Sequence, residues 1–167
     1  MERGEGSRLP LHQHGRGASV DSSVPANPQG GSNSARLLEL GFEEAGSWAL
    51  VDDKPRVTLG HRRDVCPALY ALVEDDIVVY VGKSIKTLRH RMQHYQTPGP
   101  TQRTSLRNHA SITSSLGSGR NVRVFVLVCD TPIDYRGIKI NIAAALEDPL
   151  IALFRPAWNK NGVSKGE

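Results

Sequence analysis

Two short apolar runs, at residues 68–73 and 77–81, form the clearest hydrophobic pattern in the chain. Both are rich in valine, leucine, isoleucine and tyrosine, and the acidic residues 74–76 separate them. Such runs on either side of a polar turn predict an antiparallel β-hairpin. A three-residue loop pairs Tyr70 with Tyr80 and puts both rings on one face of the hairpin. A two-residue loop puts them on opposite faces.

A helix is predicted directly after this hairpin, beginning near Ser84. Its buried stripe consists of apolar residues at helical spacing, namely Ile85, Leu88 and Met92. Arg91 and Tyr95 lie one turn apart beside that stripe. The two tyrosines of the hairpin, Lys83 and Arg91 are therefore expected at one end of a small sheet, where they suit a phosphate group.

The rest of the chain supplies two more helices and one strongly β-branched strand. Residues 121–129 are predicted as a strand in the centre of the sheet, and residues 134–139 as a loop. Residues 105–116 are predicted as a helix whose apolar positions are Leu106, Ile112 and Leu116. The last helix covers residues 142–154, and its core-facing positions are Ile142, Leu146, Leu150 and Leu153.

The amino-terminal part differs in composition from the rest of the chain. Residues 1–34 are rich in Gly, Ser, Pro and Asn, so a disordered tail is predicted there. Residues 35–66 are interpreted as an N-terminal extension, with a short helix at residues 35–40 and a small hairpin of residues 48–51 and 57–59. This extension either packs on the core or recognises the target.

Together these elements predict an α/β domain over residues 67–162, followed by a short tail at residues 163–167. Its sheet is expected to be small, three-stranded and mixed or antiparallel, with helices flanking it. A chain of 167 residues is long enough for one modest core of this kind.

Charge is distributed unevenly along the chain. The formal net charge is +4, and residues 77–129 contain no Asp or Glu at all. A solvated basic face is the simpler interpretation, but so long a stretch without carboxylates favours a polyanion such as DNA. The candidate nucleic-acid contacts in this stretch are Lys86, Arg89, Gln102, Arg103, Arg107 and Asn108. Gln102, Arg103 and Asn108 belong to a polar patch that either contacts sugar, phosphate or base edges, or consists of ordinary helix-entry residues with Thr104 as N-cap.

Cysteine content and hydropathy exclude several classes of protein. Cys66 and Cys129 are too few and too far apart for a zinc cluster or a disulfide framework, and Cys129 is expected to be a buried thiol. No apolar run approaches the roughly 20 residues of a membrane span. The amino terminus shows no signal peptide, so a cytoplasmic protein without membrane contact is predicted.

An ordered set of polar residues carries a family resemblance. Tyr70 is followed by Tyr80-Val81-Gly82, Lys83, Arg91 and Tyr95, and then by Glu147 and Asn159, which stand twelve residues apart. This order resembles the GIY-YIG nuclease domain family over about residues 67–161. The first motif reads Ala68-Leu69-Tyr70 rather than Gly-Ile-Tyr, and Pro149 follows the glutamate by two residues.

The resemblance implies a metal-dependent endonuclease that hydrolyses DNA phosphodiester bonds. Tyr70 would act on the attacking water, as general base or by positioning it. Tyr80, Lys83 and Arg91 would neutralise charge on the phosphate, and Glu147 would hold one Mg²⁺ or Mn²⁺. The alternative is a non-catalytic nucleic-acid-binding module derived from such a nuclease.

Three of these residues have a second, structural interpretation. Tyr95 is either part of the site or a core aromatic. Glu147 is either the metal ligand or half of a salt bridge with an arginine. Asn159 either caps local backbone or orients a phosphate or a metal-bound water. For Pro149, the helix begins just before it, or it begins near Asn141 and contains the proline in its interior.

Overall fold

A computed structural model describes residues 33–159 of the chain. The elements, in chain order, are α1 (Asn33–Glu39), β1 (Glu43–Val51), β2 (Lys54–Leu59), a 3-10 turn (His61–Asp64), β3 (Ala68–Glu74), β4 (Ile77–Ser84), α2 (Leu88–Gln96), α3 (Arg103–Gly117), β5 (Val122–Val128), β6 (Ile133–Tyr135), β7 (Ile138–Ile140) and α4 (Ile142–Phe154). Most of the predicted tail, residues 1–32, lies outside the described residues, and so does the predicted tail at residues 163–167.

The predicted α/β class is confirmed, but the sheet is larger than expected. Five strands form one antiparallel sheet in the order β2-β1-β5-β3-β4. The predicted amino-terminal hairpin contributes β1 and β2, and it extends the sheet because β1 pairs with β5. Strand β5 lies in the centre, as its β-branched sequence predicted.

Helices cover both faces of the sheet, and β3 is buried along its whole length as a result. On one face, Tyr70 and Leu72 pack with residues of α2 and α3 such as Met92 and Ile112. On the other face, residues of β3 and β5 pack with Leu37 of α1 and with α4. We call these the α2 side and the α4 side of the sheet.

The β3–β4 hairpin differs from the expected three-residue loop. Glu74 pairs with Ile77, so only two residues form the turn. A β-bulge then shifts the register, because Val73 pairs with Val78 whereas Leu72 pairs with Tyr80. The extra residue restores the alternation that the shorter loop would have reversed. Tyr70 and Tyr80 therefore share one face, as predicted for the longer loop. The predicted loop length and the direct pairing of the two tyrosines were wrong, since Tyr70 pairs with Gly82.

Several helix boundaries and buried positions also differ from the sequence predictions. Helix α2 begins at Leu88, with Thr87 as its N-cap, and Ile85 before it is 81% exposed. Helix α3 begins at Arg103, two residues early, and α4 spans its predicted residues. Apolar positions predicted as buried that are exposed are Ile85, Leu106, Leu146 and Leu153. A helical stripe predicts which face is apolar, but the neighbouring elements decide how much of that face they cover.

The segment before α4 is a hairpin rather than the predicted loop. β6 and β7 pair with each other in a separate two-stranded sheet, and Ile133, Tyr135 and Ile138 are exposed on this hairpin. Asn141 caps α4, since its side chain accepts a hydrogen bond from the Ala144 N–H at 3.2 Å. Pro149 thus lies inside α4, which is the second of the two predicted arrangements.

Cys129 is buried, as predicted, and burial raises the pKa of its thiol. None of the helices within residues 33–159 is both long enough and apolar enough to span a bilayer.

Candidate active site at the edge of the sheet

The two hairpin tyrosines form the floor of the candidate site. The ring centroids of Tyr70 and Tyr80 lie 6.1 Å apart on the α2 side. The backbone of Gly82 passes beneath them, and a Cβ atom there would lie 2.7 Å from the Tyr80 ring and 2.8 Å from the Tyr70 hydroxyl. Glycine in this strand is therefore required by the close approach of the two rings.

Helix α2 contributes a cation, Arg91, and a third tyrosine, Tyr95, to the site. The Thr87 side chain accepts a hydrogen bond from the His90 N–H at 3.2 Å, which begins the helix one turn before Arg91. The Arg91 Nε donates to the Tyr70 hydroxyl at 3.0 Å. Its guanidinium carbon lies 4.7 Å from the centroid of the Tyr95 ring, a cation–π distance.

The hydroxyl groups of Tyr70 and Tyr95 are paired inside the protein, at an O–O distance of 2.7 Å. Burial, and then the neighbouring Tyr80, hold the pKa of Tyr70 well above its ordinary value. Burial likewise raises the pKa of Tyr95. Burial on its own lowers the pKa of Arg91, but the surrounding phenols, Tyr70 first, outweigh it and raise that pKa overall. At neutral pH Tyr70 and Tyr95 are therefore neutral phenols beside the positive charge of Arg91.

Tyr80 differs from the other two tyrosines in its hydroxyl group. Within residues 33–159 no hydrogen bond of that hydroxyl occurs, and the residue is 7% exposed. The hydroxyl groups of Tyr70 and Tyr95, by contrast, are bonded to each other.

Glu147 reaches the site from α4 along the outer edge of β4. Its Oε1 accepts a hydrogen bond from the Lys83 backbone N–H at 3.1 Å. Its Oε2 lies 2.8 Å from the Lys83 Nζ, and its side chain is 20% exposed. The hydrogen bond to Glu147 raises the pKa of Lys83. The salt-bridge interpretation of Glu147 therefore holds in this structure, with a lysine in place of the expected arginine.

Asn159 occupies the same edge of β4. Its Oδ1 accepts from the Val81 N–H at 2.9 Å, and its Nδ2 donates to the Val81 carbonyl at 2.8 Å. The Trp158 N–H donates to the Val79 carbonyl at 2.8 Å. Asn159 and Glu147 thus satisfy backbone groups of β4, which is an edge strand of the sheet formed by residues 33–159.

The edge of β4 is where the two sides of the sheet meet. Tyr80 and Gly82 face the α2 side, whereas Lys83 pairs with Leu69, whose side chain lies on the α4 side. Lys83 therefore lies on the opposite face from the tyrosine cluster, together with its partner Glu147. The sequence had predicted only that Lys83, Arg91 and the two hairpin tyrosines lie at one end of the sheet. Lys83 and Glu147 flank the cluster across the edge strand.

The donor set suits a hydrated divalent cation held by one carboxylate. No group of three His, Cys, Asp or Glu side chains suited to a metal occurs among residues 33–159. Magnesium commonly takes one or two protein carboxylates and keeps several waters. Glu147 has lone pairs left beyond its two contacts with Lys83, so the residues present fit such an ion.

Comparison with known proteins assigns the family. The family model described as GIY-YIG domain-containing protein matches residues 61–166, which is more than half of the chain. The chain belongs to the GIY-YIG family of nuclease domains.

Two solved structures are similar to this GIY-YIG domain. A mutant of bacteriophage T4 EndoII has 23% sequence identity and a TM-score of 0.63, and the match covers 77% of this chain and 99% of that chain. Restriction endonuclease HPY188I in complex with product DNA has 15% identity and a TM-score of 0.48, with 81% and 87% covered. The first similarity shows a shared fold. No curated protein matches the chain.

The candidate DNA contacts of the GIY-YIG domain differ in their exposure to solvent. Lys86, Arg89 and Arg103 are exposed. Gln102 accepts a hydrogen bond from the Gly99 N–H at 3.3 Å and occupies the N-cap position directly before α3. Asn108 is 0% exposed and faces the core, so it does not reach a ligand at this surface, contrary to the prediction.

Arg107 is half-buried and its Nε has no partner within the described residues.

Sequence reasoning missed three residues that shape the surroundings of the site. Gly82 is part of the Tyr80-Val81-Gly82 motif. A glycine inside a strand also signals that other atoms approach the backbone closely there. Arg63 and Asp64 lie beside Arg89 in space, since the Asp64 carboxylate contacts both guanidinium groups. Nothing in the local sequence signals that contact, because α2 follows more than twenty residues later.

Proposed function

We propose that this domain is an endonuclease that hydrolyses phosphodiester bonds of DNA with the help of Mg²⁺ or Mn²⁺. The observation that supports it most is the Arg91 guanidinium, which Tyr70 and Tyr95 hold on the α2 side of the sheet. A half-buried cation held in place by neutral groups is suited to a transferring phosphate, because its position need not change as charge develops.

The tyrosines take different parts in this mechanism. Tyr70 is fully buried with a raised pKa, which supports a positioning role through Arg91 over a role as phenolate base. The Tyr80 hydroxyl is suited to a hydrogen bond with the phosphate or with the attacking water. Tyr95 orients Arg91 from beneath and shares a hydrogen bond with Tyr70.

Glu147 holds the divalent ion in this proposal. When bound, the ion acts as a Lewis acid that stabilises negative charge on the leaving oxygen. Lys83 contributes a second positive charge at the strand edge, and its side chain turns to the phosphate when Glu147 takes a cation. Asn159 keeps the β4 edge in register beside these groups.

Incubation with supercoiled plasmid tests the proposal. The parental protein is expected to cut the plasmid with Mg²⁺ or Mn²⁺ and to leave it intact in EDTA. Glu147→Gln is expected to lower cleavage at least roughly 10²-fold, comparable with the loss of one preorganised electrostatic contact. Asp148→Asn removes a neighbouring, exposed charge and should stay within a few-fold of the parent.

The competing hypothesis is a GIY-YIG domain that binds nucleic acid without cutting it. The ion pair between Lys83 and Glu147 favours it, since a carboxylate neutralised by lysine is compatible with a purely structural role. A folded protein that binds DNA but leaves it uncut with either ion establishes this alternative. A Glu147→Gln variant that cuts at the parental rate instead contradicts the role of Glu147 as the ligand of a catalytic ion.

A further inference from the structure

A cavity of about 290 Å³ lies between β2, the 3-10 turn and α2, away from the tyrosine cluster. Its lining residues are Val57, Leu59, Arg63, Arg89, Gln93 and Gln96. The volume is close to the lower end, about 300 Å³, of the range for small-molecule sites. It is large enough for one small ligand and far too small for a segment of duplex.

The lining divides into an aliphatic part and a charged rim. Val57 and Leu59 lie on the face of β2 that packs against the core. Arg63 and Arg89 are held by one carboxylate, since their guanidinium nitrogens lie 3.3 and 3.2 Å from the two oxygens of Asp64. Two arginines beside one aspartate leave an excess positive charge at this rim, and all three side chains are more than half exposed to solvent.

Two amide side chains complete the lining. The Gln96 Oε1 accepts a hydrogen bond from the Val57 N–H at 3.1 Å, which orients this amide. Its NH₂ group has no partner in the part of the chain that the structure describes, and neither has the amide of exposed Gln93. The cavity therefore combines apolar surface, hydrogen-bond donors and acceptors, and guanidinium groups.

The position of the cavity relates it to the candidate active site. Arg89, Gln93 and Gln96 are spaced at four and three residues, so they share one face of α2. Arg91 is two residues from Arg89, which puts it about 200° around the helix. The cavity and the Arg91 cluster thus lie on opposite sides of α2, separated by about one helix diameter, on the order of 10 Å.

We propose that this cavity binds a single nucleotide of the DNA, turned out of the helix near the scissile phosphate. That the substrate is DNA rests on the proposed function. The base lies on Val57 and Leu59 with its polar edge at the glutamine amides, and its phosphate lies at Arg63 and Arg89. The aliphatic surface does not stabilise a phosphate group alone. A base packs against that surface, and amide groups form hydrogen bonds with the polar edge of the base.

Binding of deoxynucleoside monophosphates tests the cavity without any need for cleavage. Titration of the full-length protein, followed by amide NMR shifts, is expected to perturb residues of β2 and α2 around the cavity. Gln93→Leu and Arg89→Ala should each weaken this binding at least 5-fold. Arg56→Ala is the matched control, because it removes the same charge from β2 on the face turned away from the cavity. Absence of nucleotide-dependent shifts overturns the proposal.

A second experiment uses DNA with 2-aminopurine at successive positions across the substrate. Fluorescence is expected to rise at one position only, where the base leaves the stack, and the rise should be lost in Gln93→Leu but kept in Arg56→Ala. Uniformly low fluorescence with intact cleavage overturns the cavity assignment and leaves the nuclease proposal standing. Nucleotide binding at the cavity without any DNA cleavage supports the assignment and contradicts the nuclease proposal instead.

Discussion

The hydroxyl oxygens of Tyr70 and Tyr95 lie 2.7 Å apart in the protein interior, although 25 residues separate them in the chain. Tyr70 comes from the central part of the sheet and Tyr95 from the last turn of α2. The Arg91 guanidinium contacts both side chains. The hydrogen-bonded pair therefore fixes how α2 sits on the sheet and where the cation of the candidate site lies.

Burial of Tyr70 predicts a loss of stability at alkaline pH. Its folded-state pKa is raised, so above about pH 10 the unfolded tyrosine releases a proton that the folded one retains. The free energy of unfolding should then fall by about 1.4 kcal/mol per pH unit from this group. In urea unfolding between pH 9 and pH 11.5, Tyr70→Phe should show a shallower decline than the parent. Tyr135→Phe, at an exposed position, should match the parental slope.

Gly82→Ala is expected to disturb the tyrosine cluster. The added methyl group would lie under 3 Å from both Tyr80 and the Tyr70 hydroxyl, and overpacking of this kind costs about 1–3 kcal/mol. Cleavage should fall along with the free energy of unfolding, because Arg91 loses its anchor. Gly117→Ala is the control: no atom lies within 4 Å of its added methyl group, so stability should be unchanged or slightly higher. Equal stability of the two variants would contradict the close packing.

Asn159→Ala separates the two interpretations of that residue. If the amide serves the β4 edge, two hydrogen bonds to Val81 are lost and the free energy of unfolding falls by about 1–3 kcal/mol. Asn121→Ala changes an asparagine whose backbone alone is hydrogen-bonded, and it should leave stability close to the parent. A drop in cleavage at unchanged stability would instead mean that Asn159 acts on the phosphate or on a metal-bound water.

Lys83→Met is expected to strengthen metal binding while it weakens cleavage. The ammonium group lies 2.8 Å from the Glu147 carboxylate and competes with any cation there. Its removal should raise the affinity for Mn²⁺ several-fold, measured by electron paramagnetic resonance of the free ion. Glu147→Gln should abolish that binding, and Lys139→Met, paired with Asp134 on the β6–β7 hairpin, should leave it unchanged. Lower Mn²⁺ affinity in Lys83→Met would rule out competition.

Arg103→Ala tests the basic stretch as a DNA contact. Arg103 is exposed at the start of α3, and loss of one phosphate contact should reduce the slope of log affinity against log salt by about 1. Cleavage at saturating DNA should continue. Arg36→Ala removes the same charge from α1, on the other side of the sheet, and its salt slope should equal that of the parent. An unchanged slope in both variants would place the DNA elsewhere.

Local signals in the sequence were sufficient for most of the elements. The hairpin, the central β5 strand and the limits of α4 follow from short apolar runs, a β-branched stretch and an Arg-Pro stop after α4. The motif order also determined the family, because its tyrosines, arginine, glutamate and asparagine are recognisable without coordinates. These features depend on neighbouring residues along the chain, which a sequence shows directly.

Only the tertiary structure decided how these residues meet. The bulge that returns Tyr80 to the face of Tyr70 is a property of strand pairing. The position of Lys83 across the edge strand, the burial of Asn108 and the exposure of Ile85 depend on which elements cover each surface. A hydrophobic pattern gives the side of a strand or helix that is apolar. Which neighbour packs against that side is settled by contacts between distant segments, and their free energies are absent from any local stretch of sequence.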